Sequence, residues 1–178
     1  MMHGEGDELV LRAQSGDQAA WAELYADHAE RLVVWLRHWS QPDPAADAED
    51  LAAEAWLTAA RRVRDFRGDR GDFAGWLFGI ARNVARSHYR RTRPTSALPD
   101  AAERWSSDAD PERTVAGDDL TRRLVASLPE REAQVVACLD VVGLDVASTA
   151  RALGINPTAV RVAHHRGLRR LRKIWPEM

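Results

Sequence analysis

One cysteine in 178 residues leaves no internal disulfide and no cysteine-rich zinc site. No apolar run approaches the roughly 18–20 residues that a membrane-spanning helix needs, so no membrane segment is expected. Met1 to Leu11 carry acids where a secretory signal would carry basic charge and an apolar stretch, so a cytoplasmic location is expected. No segment sustains the period-two alternation of β-branched residues that marks a sheet, and the expected fold is all-α. A metal site is not expected either. His28 has no ligating residue one helical turn away, and the adjacent His164 and His165 point about 100° apart on a helix. Nothing resembles a phosphate loop or an activated nucleophile, so neither a cofactor nor an enzymatic activity is expected. What remains, 45% apolar and 29% charged residues, is the composition of a folded protein.

Net charge is also nearly absent, at −2, but only as an average. Residues 1–55 hold 3 basic and 12 acidic side chains, and residues 61–93 hold 10 and 3. Residues 94–120 hold 2 and 7, and residues 121–178 hold 10 and 5. Segregation of this kind predicts two separate basic surfaces with acidic stretches available for protein contacts.

Helical periodicity organises the chain into two small helical domains, residues 1–93 and 118–178, joined by a linker over 94–117. A first helix is predicted from Gly6 to Trp39, weakened at Gly16, where Asp17 caps a seam of Trp21, Leu24, Tyr25, His28, Leu32, Trp35, Leu36 and Trp39. His28 reads as a packed histidine. After two prolines, Asp47 caps a helix whose buried stripe is Leu51, Ala55, Ala59, Val63 and Phe66. The glycine-rich, charged segment Phe66–Asp72 reads as a loop, and Asp72 as the cap of a helix from Phe73 to Arg91. The linker is rich in Pro, Ser, Asp and Ala with few large apolar residues; Trp105 is its one aromatic side chain. Further helices are predicted from Asp118 to Ser127, from Pro129 to a stop at Gly143, from Val146 to Leu153 and from Pro157 to Ile174. Cys138, among Val135, Val136, Ala137 and Leu139, reads as a buried small hydrophobe.

The last two helices carry a helix-turn-helix pattern. Ala150, Gly154 and Val160 supply the small crossing residue, the turn glycine and the β-branched packing residue at spacings of four and six. The second helix bears Arg161, Arg166, Arg169, Arg170, Arg172 and Lys173, with no acid from Ile155 to Pro176. Asn156 caps it, so Thr158, Arg161 and Val162 lead into a major groove, while His165, Arg166 and Arg169 follow and the arginines suit phosphates. The other basic block interleaves arginines with aromatics: Arg64, Phe66, Arg67, Arg70, Phe73, Trp76, Arg82, Arg86, Tyr89 and Arg90. Exposed aromatics in such company suit unstacked bases, each stack being worth roughly 1–3 kcal/mol. The competing reading makes Phe73 and Trp76 core residues.

Three stretches together resemble the extracytoplasmic-function (ECF, group IV) sigma factors of bacterial RNA polymerase. DAEDLAAEAWLTAARRVRDFRG, residues 47–68, is similar to region 2.2–2.3; FAGWLFGIARNVARSHYRR, residues 73–91, to region 2.4. LPEREAQVVACLDVVGL followed by ARALGINPTAVRVAHHRGLRRLR resembles region 4. The resemblance implies that Asp47, Asp50, Leu51 and Glu54 grip the β′ coiled coil of core polymerase. It implies that the 66–73 loop receives a flipped non-template base of the minus-ten element, flanked by Arg82, Asn83 and Arg86. Thr158 to Arg169 would read the minus-thirty-five duplex, with neighbouring residues meeting the β flap. An anti-sigma partner is implied as well. The chain departs from the family pattern at Asp145–Ala150, where SYEEIA is usual, at Ala163, where arginine is frequent, and at Ser87, where aspartate is frequent. A helix-turn-helix regulator acting without polymerase explains only the last third.

Overall fold

A computed structural model describes residues 4–39, 47–92 and 116–174, all of them in helices, helical turns or short connections. Trp105 lies outside the described residues. Two helices open the chain, α1 (Gly4–Gln14) and α2 (Gln18–Trp39). The expected weak point is a full break: Gly16 takes φ +92°, and the Asp17 carboxylate accepts hydrogen bonds from the N–H groups of Ala19 and Ala20 at 2.8 and 3.2 Å. The α2 seam buries Leu24, His28, Leu32, Trp35 and Leu36, while Tyr25 at its edge is exposed.

Helix α3 (Ala48–Arg62) starts on the Asp47 cap and buries Leu51, Ala55 and Ala59; a 3₁₀ turn then buries Val63. Helix α4 (Arg70–Thr92) begins three residues before the predicted position. Asp69, not Asp72, is its cap. The Asp69 carboxylate accepts from the Asp72 N–H at 2.9 Å and the Asp72 carboxylate from the Asp69 N–H at 3.4 Å, a reciprocal capping box. Phe73 is fully buried at the centre of a ring cluster, 5.8 Å from Phe66, 5.5 Å from Trp76, 6.4 Å from Trp56 and 5.8 Å from His28. Burial of one such side chain is worth roughly 1.5–3 kcal/mol.

The second half contains α5 (Ala116–Ala126), α6 (Glu130–Val136), α7 (Val146–Leu153) and α8 (Pro157–Ile174). Pro129 stands one residue before α6, where its extended ψ and missing N–H cost nothing. The chain leaves α6 through a π-helical turn, Ala137–Val141, and reverses at Gly143, φ +68°. Helix α7 ends on Gly154 in the left-handed conformation, φ +64°, and the Ile155 N–H donates back to the Ala150 carbonyl at 3.0 Å. The tight turn lets α8 fold back over α7 and α6. It crosses at Gly167, where an added Cβ would stand 2.9 Å from Val136 Cγ2.

Both halves share one continuous core. Helix α7 lies along α4, the largest helix pairing among the described residues. Trp35 donates its indole N–H to Cys138 Sγ at 3.2 Å, and Arg31 donates to the carbonyls of Val142 and Gly143 at 2.8 and 3.1 Å. Burial in this contact pushes the Cys138 thiol up to about 12, which keeps it protonated and unreactive.

Candidate nucleic-acid and polymerase interfaces

Helix α8 is sorted cleanly into an inner and an outer face. Val160, Ala163 and Gly167 are buried; Thr158, Arg161, Val162, His165, Arg166 and Arg169 are exposed. The sorting follows from the 3.6-residue period, since 160, 163 and 167 repeat at three and four. Asn156 caps the helix, its side-chain oxygen accepting from the Ala159 N–H at 2.7 Å. The leading end therefore presents N–H groups beside cationic side chains. Arg170 turns the other way and pairs with the nearly buried Glu132 at 2.9 Å, holding α8 to α6. His164 likewise pairs with Asp140 at 2.7 Å. Ala163 faces inward, so its departure from the family pattern lies off the exposed face.

The other basic block is not a simple open surface. Phe66 and Phe73, expected to offer ring faces to bases, are 2% and 0% exposed; their faces are spent on each other and on Trp56, Trp76 and His28. Only Trp76 of the three keeps part of its surface in solvent. Arg70 is held by Glu23 at 2.7 Å and by Asp27, which with its own hydrogen bonds raises the guanidinium pKa further. It is an internal tie between α4 and α2, not a free cation. Arg67 folds over the loop and donates to the carbonyls of Arg64 and Phe66 at 2.8 and 2.9 Å. Arg82 is half-buried, its Nη1 3.7 Å from where a Cβ on Gly154 would sit. Burial first, then Arg86, lowers its pKa, although a guanidinium still keeps its charge. The exposed members are Arg64, Arg67, Asn83, Arg86 and Arg90.

On α3, Asp47, Asp50 and Glu54 are exposed, but Leu51 is only 4% exposed and belongs to the core. An apolar residue that the sequence reading passed over takes its place. Leu57 is 59% exposed and stands at i+3 from Glu54 and i+7 from Asp50, on the same helical face. Its signal was an apolar residue out of phase with the buried stripe. Also missed were the contacts by which Arg31, Trp35, Gly75 and Ser148 join the two halves; contacts between distant segments leave no local pattern.

The two halves of this arrangement correspond to two known families. Residues 24–95 match Sigma-70 region 2, and residues 119–171 match Sigma-70, region 4. The chain is 31% identical over 175 residues to the ECF RNA polymerase sigma factor BldN of Streptomyces coelicolor, spanning 96% of this chain and 66% of that protein. It is 34% identical over 183 residues to the ECF RNA polymerase sigma factor SigD of Mycobacterium tuberculosis, spanning 96% of this chain and 84% of that one. Among solved structures, CnrH in complex with the cytosolic domain of CnrY shares the fold, with a TM-score of 0.68 at 24% identity over 94% of this chain and 95% of that one. With region 2 and region 4 matched in that order and full-length similarity to these relatives, the chain belongs to the ECF sigma factors of the sigma-70 family.

Proposed function

We propose that the chain joins core RNA polymerase and carries it to promoters through three surfaces. The exposed row of Asp47, Asp50, Glu54 and Leu57 on α3 takes the β′ coiled coil: carboxylates steer the approach and Leu57 supplies apolar contact. Loop 66–72 and the exposed edge of α4, with Trp76, Asn83, Arg86 and Arg90, hold the opened non-template strand of the minus-ten element. Helix α8 reads the minus-thirty-five duplex, with Arg161 and Val162 at base edges and Arg166 and Arg169 on phosphates. The observation that carries the reading is the sorting of α8. Every cation assigned to DNA is exposed, while Arg170, exposed as well, and the half-buried His164 are held by Glu132 and Asp140.

Catalysis in this scheme belongs to the polymerase, and the site of action is the cytoplasm; no described helix is long and apolar enough to cross a membrane. A protein partner that competes with core polymerase completes the scheme, as CnrH was solved with the cytosolic domain of CnrY. Run-off transcription tests the reading. Core polymerase plus the chain yields a defined transcript from a cognate promoter, and silence on every genomic promoter fragment overturns it. Asp50→Lys with Glu54→Lys weakens capture of core but leaves duplex binding by α8 intact.

A further inference from the structure

Helix α3 runs into its 3₁₀ turn without the left-handed glycine that commonly finishes a helix. Phe66 leaves the turn extended, at φ −65° and ψ 137°, and Gly68 follows two residues later. The last carbonyls of such an end need partners from outside the helix. One comes from far along the chain. Gln14, the final residue of α1, donates from Nε2 to the carbonyls of Val63 and Phe66, both at 3.0 Å. A carbonyl oxygen only accepts, so the nitrogen end of the amide must face the pair, and its two N–H groups match the two oxygens.

Both carbonyls stand at the entry to the loop assigned to the opened strand. Val63 O also accepts from the Phe66 N–H at 3.1 Å, and Phe66 O from Arg67 at 2.9 Å. The ties on Phe66 are unequal. Arg67 is exposed and cationic, so a phosphate that draws its guanidinium away leaves the Phe66 carbonyl to Gln14. Gln14 is half-buried and carries no charge for a phosphate to draw.

The Phe66 ring lies 4.9 Å from Trp76 and 5.8 Å from Phe73, so the Phe66 backbone sets the support beneath Trp76, the ring of the three that reaches solvent. The loop has little slack beyond it. A Cβ at Gly68 would stand 2.6 Å from Asp72 Oδ2 and 3.0 Å from Phe66 Cζ. A binding constellation discriminates only when held to within about 0.5 Å. Helix α1 ends before residue 24, where the match to Sigma-70 region 2 begins, so that match gives Gln14 no role.

We propose that Gln14 is a positioning residue for strand recognition: from α1 it fixes the entry to loop 66–72 and the Phe66–Trp76 ring pair in the shape that discriminates among bases of the minus-ten strand. The clamp on the loop stands on geometry; what it serves rests on the sigma-factor reading. Open-complex formation by core polymerase with the full chain, on a cognate promoter and its single-base variants in both elements, tests it. Gln14→Met keeps the side-chain length and a good helix former but removes both donors. It lowers base preference in the minus-ten element by about tenfold, the scale of two lost hydrogen bonds, and leaves preference in the minus-thirty-five element unchanged. Gln14→Lys, which returns a donor, restores most of the loss. Arg12→Ala, which removes the exposed 2.7 Å pair with Asp17 on the same helix, changes neither preference. In the free chain, amide hydrogen exchange over residues 66–69 quickens in Gln14→Met while far-UV circular dichroism stays the same. Full minus-ten preference in Gln14→Met, an equal loss in both elements, or an equal loss in Arg12→Ala overturns the proposal. Absence of any transcript with the unmodified chain overturns the sigma-factor reading instead, and unchanged exchange in Gln14→Met then overturns the clamp separately.

Discussion

Helices α4 and α8 look alike in sequence, each a long helix with arginines repeating along it, yet only α8 keeps its basic face free. Its inner residues are Val160, Ala163 and Gly167, and its outer ones cationic or small. Helix α4 has three jobs at once: Phe73, Leu77 and Phe78 fill the core, Gly75 and Gly79 receive α7, and Asn83, Arg86 and Arg90 are left to solvent. Charge count therefore overstates what α4 offers. Arg70 is neutralised by Glu23 and Asp27, and Arg82 is half-covered. A basic helix binds nucleic acid with the cations its neighbours leave unpaired.

The largest effect that tests this contrast is Phe73→Ala, expected to cost about 3–5 kcal/mol in urea unfolding, whereas Arg86→Ala stays within about 0.5 kcal/mol. Unchanged stability for Phe73→Ala, with loss of strand binding, would return that ring to the surface. His28, stacked on Phe73, gives the next. Burial, and after it the Arg31 guanidinium, push its imidazole from 6.5 down to about 4, and neither ring nitrogen has a hydrogen-bond partner among the described residues. The unfolded chain takes up the proton first, so stability is full above pH 6.5 and falls toward pH 4, by on the order of 3 kcal/mol at most. Urea melts across that range record the loss, and His28→Leu flattens it. On α8, Arg161→Ala should cost about 1–3 kcal/mol with discrimination lost at one base pair, while Arg169→Ala weakens binding to all sequences and lowers the salt slope by about 1. Fluorescence anisotropy against a set of single-base variants separates the two. The smallest effect is Asn156→Ala, about 1 kcal/mol in thermal unfolding from loss of the α8 cap.

Sequence periodicity located the helices because it is local. The Asp17, Asp47 and Asn156 caps, the Ala150–Gly154–Val160 turn and the buried Cys138 were all legible. Asp69 as the α4 cap was legible too, since Asp-x-x-Asp is a capping-box spacing, but the glycines on either side of it suggested a longer loop. Phe66 and Phe73 illustrate the limit for the site. Aromatics interleaved with arginines have the same spelling whether they stack on bases or on each other, and only packing from α2 and α3 decides. Leu51 and Leu57 exchange roles for a similar reason: the buried stripe fixes which leucine faces out. The α7–α4 crossing depends on residues more than seventy positions apart, which no window along the chain brings together.

Footprinting on a cognate promoter compares the two helices most directly. The free chain should protect the minus-thirty-five element alone, through α8, and the chain with core polymerase should protect both elements. Protection of both by the free chain, or of the minus-ten element first, would contradict the account.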